Sequence, residues 1–300
     1  MISKTSADDP RLNSFVTKNP DEAAVHIWGY PDDEGIQLNG GRIGAAQGPD
    51  QIRTCFYKMT PPLTSKKVPA IWDGGNIELS DELKTRHEKS QAQALQSYQN
   101  KKFVVTLGGG HDYGYPDAAA FVHAFKNSKK KPIVINFDAH LDVRPVDKGL
   151  TSGTPFFRLL NESAKDLHFF EVGIQNHCNA KNHLAWAKKN KATIIEQEEI
   201  FQKSLYQCLL PKLSRFKGHP TFLSVDIDGF TSSEAPGCSQ SWPVGFTAQD
   251  FFKTLKVIFQ KLDVKGIGIY EVSPPLDVGN LTSRLAALIV YHSLQNKGVL

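Results

Sequence analysis

Residues 132–142 read PIVINFDAHLD, a short apolar run that ends abruptly in Asp138, His140 and Asp142. The run is too short for a buried helix and too uniformly apolar for a strand with one wet face, which is how a strand of a buried parallel sheet reads. The same signature recurs in VHIWGY (25–30), KFVVTL (102–107), TFLSVDI (221–227) and GIGIYEV (266–272). Helical patterns lie between them, notably over 81–100 and 248–261. Alternation of this kind predicts βαβ units, hence an α/β fold with a mainly parallel sheet covered on both faces. No composition shift, linker or internal repeat divides the chain. It reads as a single domain over 1–300, with 1–20 as a polar N-terminal extension.

Composition agrees with a packed domain: of 300 residues, 40% are hydrophobic and 22% charged, which excludes disorder, collagen and coiled coil. Thirty-five Lys and Arg against 31 Asp and Glu leave a net charge of +4. The basic run from Lys126 to Lys131 lacks interleaved aromatics and reads as a solvated helix end, so no nucleic-acid partner is expected. Cys55, Cys178, Cys208 and Cys238 show neither CxxC nor Cys/His zinc spacing, which points to reduced thiols in a cytoplasmic protein. The N-terminal stretch has no apolar signal region, and no apolar run approaches the ~18 residues a membrane span needs.

In open parallel sheets, ligands bind beyond the carboxyl ends of the strands, and the unusual residues sit there. VVTL is followed by Gly108, Gly109, Gly110 and His111, VINF by Asp138, His140 and Asp142, and FLSV by Asp226 and Asp228. A lone His after glycines is ordinarily structural, and a lone Asp-x-Asp ordinarily caps a helix or turn. Asp-x-His-x-Asp directly after an apolar strand resists that reading, because alternate residues of an extended strand share one face and burying three ionisable groups there is expensive. Four aspartates in one cleft are balanced by two divalent cations. His111, His140, Asp138, Asp142, Asp226 and Asp228 then form a six-side-chain ligand set, with one carboxylate of each pair bridging. Oxygen-rich ligation with some imidazole favours Mn²⁺ over zinc. Two such ions activate a water for hydrolysis, and Asp142 is placed to pass its proton to a leaving amine. The three glycines give neither GxGxxG nor GxxxxGK[ST], so a nucleotide reading fails.

The segments GGGHD (108–112), NFDAHLD (136–142) and SVDID (224–228), with Glu271 in YEVSP, resemble the ureohydrolases, a family that includes arginase, agmatinase and formimidoylglutamase. The resemblance runs from about Val25 to the last helix. It implies an arginase-like three-layer αβα sandwich, two Mn²⁺ per chain, hydrolysis of a C–N bond in a small amidine or guanidino substrate, and a homo-oligomer. It also implies that Glu271 faces the substrate's amidine-type nitrogens. Within the family, DEG (33–35) through NGGR (39–42) and on through GAAQGPDQIR, the arginine closing DAHLDVR, SGTPF (152–156) and APG (235–237) look like formimidoylglutamase. Phe156 stands where arginases carry a proton-shuttle histidine, and Arg144 where they carry an asparagine. N-formimino-glutamate has two carboxylates, which arginine forks bind well; Arg144, Arg42 and Arg158, with Thr154 of the adjoining turn, are the expected substrate contacts. The resemblance therefore implies hydrolysis of N-formimino-L-glutamate to glutamate and formamide in histidine breakdown. The alternatives are a guanidino hydrolase of agmatinase or guanidinobutyrase type, or an inactive metal-binding homologue serving as an interaction subunit.

Overall fold

A computed structural model describes residues 8–65 and 68–300. Its strands are β1 (Val16–Thr17), β2 (Val25–Gly29), β3 (Ile71–Asn76), β4 (Phe103–Leu107), β5 (Ile133–Phe137), β6 (His168–Ile174), β7 (Thr193–Glu196), β8 (Pro220–Asp226) and β9 (Asp263–Tyr270). They form one sheet in the order β1-β3-β2-β4-β9-β8-β5-β6-β7. Every pairing is parallel.

The period of two in each strand feeds two cores. Val104, Val134 and Phe222 pack on one face with Tyr98, Phe121 and Leu159 from helices Leu83–Gln99, Gly114–Phe125 and Pro155–Ser163. Val105, Ile135 and Leu223 pack on the other with Ile52, Leu209, Leu255 and Leu294 from helices Gly48–Phe56, Leu205–Leu213, Ala248–Lys261 and Leu281–Lys297. Each such fully buried aliphatic side chain contributes roughly 1.5–3 kcal/mol, so both helical layers are firmly held. The three-layer αβα sandwich read from the sequence is the one formed. Strands β4, β5 and β8 are buried along their whole length, which is why they stood out as apolar runs.

The N-terminal extension requires correction. From residue 12 onward the segment is part of the fold: Leu12 is fully buried, its amide donates to the Met59 carbonyl at 2.9 Å, and Val16 and Thr17 extend the sheet beside β3. One buried leucine and two backbone pairings anchor a stretch whose other apolar side chains, Phe15 and Val16, are only partly covered or exposed. The basic run from Lys126 to Lys131 lies in exposed positions after helix Gly114–Phe125, as a solvated helix end. All four cysteines are free thiols. No helix among the described residues is long and apolar enough to cross a membrane.

Candidate metal centre

The carboxyl ends of β4, β5, β8 and β9, neighbours at the middle of the sheet, meet at a cavity of about 390 Å³. His140, Asp142, Arg144, Asp226, Asp228 and Glu271 all line it. The glycines after β4 permit this: a side chain at Gly109 would stand 1.8 Å from the Asp32 carbonyl oxygen, so only glycine lets the two segments close.

His111 and Asp138 are fully buried beneath the cavity. His111 Nδ1 lies 3.1 Å from Asp138 Oδ2, 2.9 Å from Asp142 Oδ2 and 3.1 Å from Asp226 Oδ2. Its other nitrogen, Nε2, lies 2.9 Å from Ser224 Oγ, and its ring stacks on Tyr270 at 4.8 Å. On the far side of Asp138, His140 Nδ1 lies 3.0 Å from Asp228 Oδ2 and 3.5 Å from Asp138 Oδ1. The six side chains thus fall into two donor groups, His111/Asp138/Asp142/Asp226 and Asp138/His140/Asp228, with Asp138 in both. The sequence reading shares a second carboxylate, so that each ion has four ligands; by distance alone, Asp226 groups with His111. Asp226 Oδ1 accepts the Asp228 amide at 2.9 Å.

The route by which these residues converge also differs from strand alternation. β5 ends at Phe137. Asp142 reaches the site through a left-handed turn at φ +48°, and Glu271 does so at φ +66°. Such a backbone costs a non-glycine residue on the order of 1 kcal/mol or more and persists where its surroundings over-determine it.

The electrostatics ask for cations. Burial and the Asp138 charge push Asp142 up to about 6. Burial and the Asp228 and Asp138 charges raise Asp226 well above the carboxylate range, while burial and the Asp226 charge do the same to Glu271. Burial alone would also raise Asp138, but hydrogen bonds from His111 and His140 overcome it and hold Asp138 low. Burial favours a neutral His111, yet its three carboxylate neighbours outweigh it and drive the imidazole pKa well up. A ring nitrogen carries at most one proton, which cannot serve three carboxylates; His111 Nδ1 has no well-formed hydrogen bond. Metal bonds of about 2.1 Å set neighbouring donor atoms roughly 3 Å apart, the spacing found around His111 Nδ1. The donor set therefore fits divalent cations.

Of the expected substrate contacts, Arg144 is on the cavity wall, exposed, with its stem against Gly153. Its guanidinium has no acceptor in any hydrogen bond or ion pair found among the described residues. The other three are not brought to the cavity. Arg42 donates through Nε to the Ser239 carbonyl at 2.9 Å and through Nη2 to that of Cys238 at 3.0 Å, tying down the 231–242 loop. Arg158 lies over the Tyr115 ring at 3.5 Å with Nη1 2.9 Å from His87 Nδ1. Thr154 donates its hydroxyl to the Thr151 carbonyl at 2.8 Å and shapes that turn. Each is held by protein partners away from the cavity.

Phe156 is fully buried, its ring 5.4 Å from that of His111, so this position supports a ligand from behind and offers no proton carrier to the cavity. The sequence reading missed the wall contributed after β6 by Cys178, Asn179 and His183. Asn179 accepts the Leu141 amide and donates to the Ala139 carbonyl, both at 2.8 Å, and so clamps the ligand loop. Burial and the nearby Arg144 charge lower the His183 pKa. The run QNHCNAKNH (175–183) directly after an apolar strand was the signal available.

The arginase family model matches residues 23–295. Formimidoylglutamase of Bacillus subtilis is 35% identical over 75% of this chain and 72% of its own length, and that of Legionella pneumophila is 32% identical over 93% and 86%. The crystal structure of Trypanosoma cruzi formiminoglutamase with Mn²⁺ superposes with a TM-score of 0.86 at 30% identity, covering 96% of this chain and 98% of that one.

Proposed function

The chain belongs to the arginase family, and we propose that within it the protein is a formimidoylglutamase, hydrolysing N-formimino-L-glutamate to glutamate and formamide in histidine breakdown. Two Mn²⁺ would be held by His111, Asp138, Asp142 and Asp226 on one side and by Asp138, His140 and Asp228 on the other. When bound, such a pair supplies a deprotonated water at neutral pH and electrostatic stabilisation of the charge that develops on the substrate.

The chain's own residues do the rest. Glu271, on the cavity wall with Oε1 fixed by the His111 amide at 3.1 Å, pairs with the cationic formimino nitrogens. Its ionised form is favoured once cations neutralise the nearby Asp226. Asp142, on the same cavity wall, takes the proton of the attacking water and delivers it to the glutamate nitrogen as the C–N bond breaks. Arg144 binds a substrate carboxylate. The observation that carries the substrate choice is this unpartnered guanidinium on the same wall as the donor cluster. A guanidino substrate with a cationic tail would be repelled there, whereas a dicarboxylate is attracted.

The metal reading is tested by Asp138→Asn. Loss of the shared carboxylate is expected to abolish tight Mn²⁺ binding and turnover together, measured by metal analysis after gel filtration and by formamide release. A variant that keeps two ions and full turnover would contradict the ligand assignment.

A further inference from the structure

The buried row beneath the donor cluster contains a side chain that the mechanism leaves unused. Glu171 on β6 is fully buried in the sheet, opposite Asn136 on β5, which in turn is opposite Ser224 on β8. A carboxyl group in such a place is costly unless something compensates it, and a valine would pack there instead. Glu171 has no cation partner in any ion pair among the described residues. Its Oε2 accepts from Asn136 Nδ2 at 2.9 Å, and its Oε1 has no partner.

The same Asn136 amide donates its second hydrogen to Asp138 Oδ2 at 3.1 Å. Asp138 is the one residue that belongs to both donor groups. Its Oδ1 is fixed by the His140 amide at 2.6 Å, so the Asn136 bond to Oδ2 completes the definition of its rotation. Asn136 Oδ1 is itself buried without a partner. With nothing beyond it, that amide can turn over and present oxygen to the Asp138 carboxylate, exchanging attraction for repulsion. Glu171 prevents this, because the same turn would cost its own hydrogen bond as well. Ser224 holds His111 in a comparable way from the adjacent strand, at 2.9 Å.

We propose that Glu171 is a positioning residue of the metal centre: through Asn136 it fixes the rotation of Asp138, the carboxylate that both cations share. The inference rests on the manganese reading above. Hydrogen-bonding partners behind metal ligands are worth roughly 10–100-fold in metal affinity or activity.

The test uses Glu171→Leu, Glu171→Gln and Asn136→Ala, titrated calorimetrically with Mn²⁺ alone, with low-temperature electron paramagnetic resonance of the loaded proteins. Glu171→Leu is expected to weaken Mn²⁺ binding by at least about tenfold and to alter the spectrum of the coupled pair, with the substrate KM unchanged at saturating metal. Glu171→Gln, which still offers an oxygen to Asn136, is expected to restore wild-type binding and spectrum. Asn136→Ala is expected to match Glu171→Leu, and the double variant to be no weaker than Asn136→Ala alone. A merely structural role would lower the melting temperature of the metal-free protein and leave affinity and spectrum untouched. A folded Glu171→Leu protein with wild-type Mn²⁺ affinity and spectrum would overturn the proposal while leaving the metal centre standing. If Glu171→Leu does not fold, wild-type binding by Asn136→Ala overturns it equally. A wild-type protein that binds no Mn²⁺ would overturn both.

Discussion

Arg144→Met separates substrate binding from chemistry. The replaced guanidinium is exposed on the cavity wall and holds no protein group, while its backbone amide donates to the Gly153 carbonyl at 2.8 Å regardless of the side chain. The substitution should therefore leave the fold within about 0.5 kcal/mol of wild type and leave Mn²⁺ content unchanged. What it removes is a charge-assisted contact to a substrate carboxylate, worth about 1.5–3 kcal/mol. At about 1.4 kcal/mol per factor of ten, that is a 10- to 100-fold rise in KM. The contact is to a part of the substrate that does not react, so it acts equally on ground and transition states and kcat should hold within about threefold. Initial rates of formamide release from N-formimino-glutamate, over a concentration range reaching well above the new KM, measure both. A large fall in kcat with KM unchanged would mean that Arg144 serves the reacting centre. No change in either would mean that the carboxylates bind elsewhere.

Two further outcomes follow from the geometry. Glu271→Gln keeps an oxygen for the His111 amide, bonded at 3.1 Å, but removes the charge facing the formimino nitrogens; kcat/KM should fall by about 100-fold or more, with metal content retained. Loss of metal would instead give Glu271 a role in holding the cluster. Stability should also respond to His168, which stands near Lys131, His219 and Arg215 at the opposite end of β6. Burial and those charges depress its pKa to about 4. Between an unfolded value near 6.5 and about 4, the unfolded chain binds the proton and the folded one does not, so this residue's contribution is intact above pH 6.5 and is lost as pH falls toward 4. His168→Gln should flatten that part of the melting-temperature profile of the metal-free protein; an unchanged profile would refute the assignment.

The strands that carry the site were legible because they are buried on both faces, so no charged residue interrupts β4, β5 or β8 before the ligands begin. β3, β6 and β7 were not. Ile71–Asn76 carries an aspartate and two glycines, Thr193–Glu196 has four residues, and His168–Ile174 contains Glu171. The last is a buried acid that makes sense only beside Asn136, on a different strand. Ligand types could be read from residue chemistry, but not the left-handed turns that deliver Asp142 and Glu271, since a positive φ is uncommon in any non-glycine residue, even in Asp, which adopts it more often than most. The arginines divide differently. Nearness in sequence to Asp142 put Arg144 on the cavity wall, whereas Arg42 and Arg158 were claimed by the Cys238 and Ser239 carbonyls and by Tyr115 and His87, partners at long sequence separation.

The most direct measurement is turnover by the Mn²⁺-loaded protein with N-formimino-L-glutamate, arginine, agmatine and guanidinobutyrate side by side, scoring formamide and urea. The site's acid-rich donor cluster and free Arg144 lead us to expect formamide from N-formimino-glutamate and at most trace urea from the guanidino compounds. Urea from any of them without formamide would contradict the substrate assignment, and two bound ions with no turnover of any substrate would contradict the catalytic one.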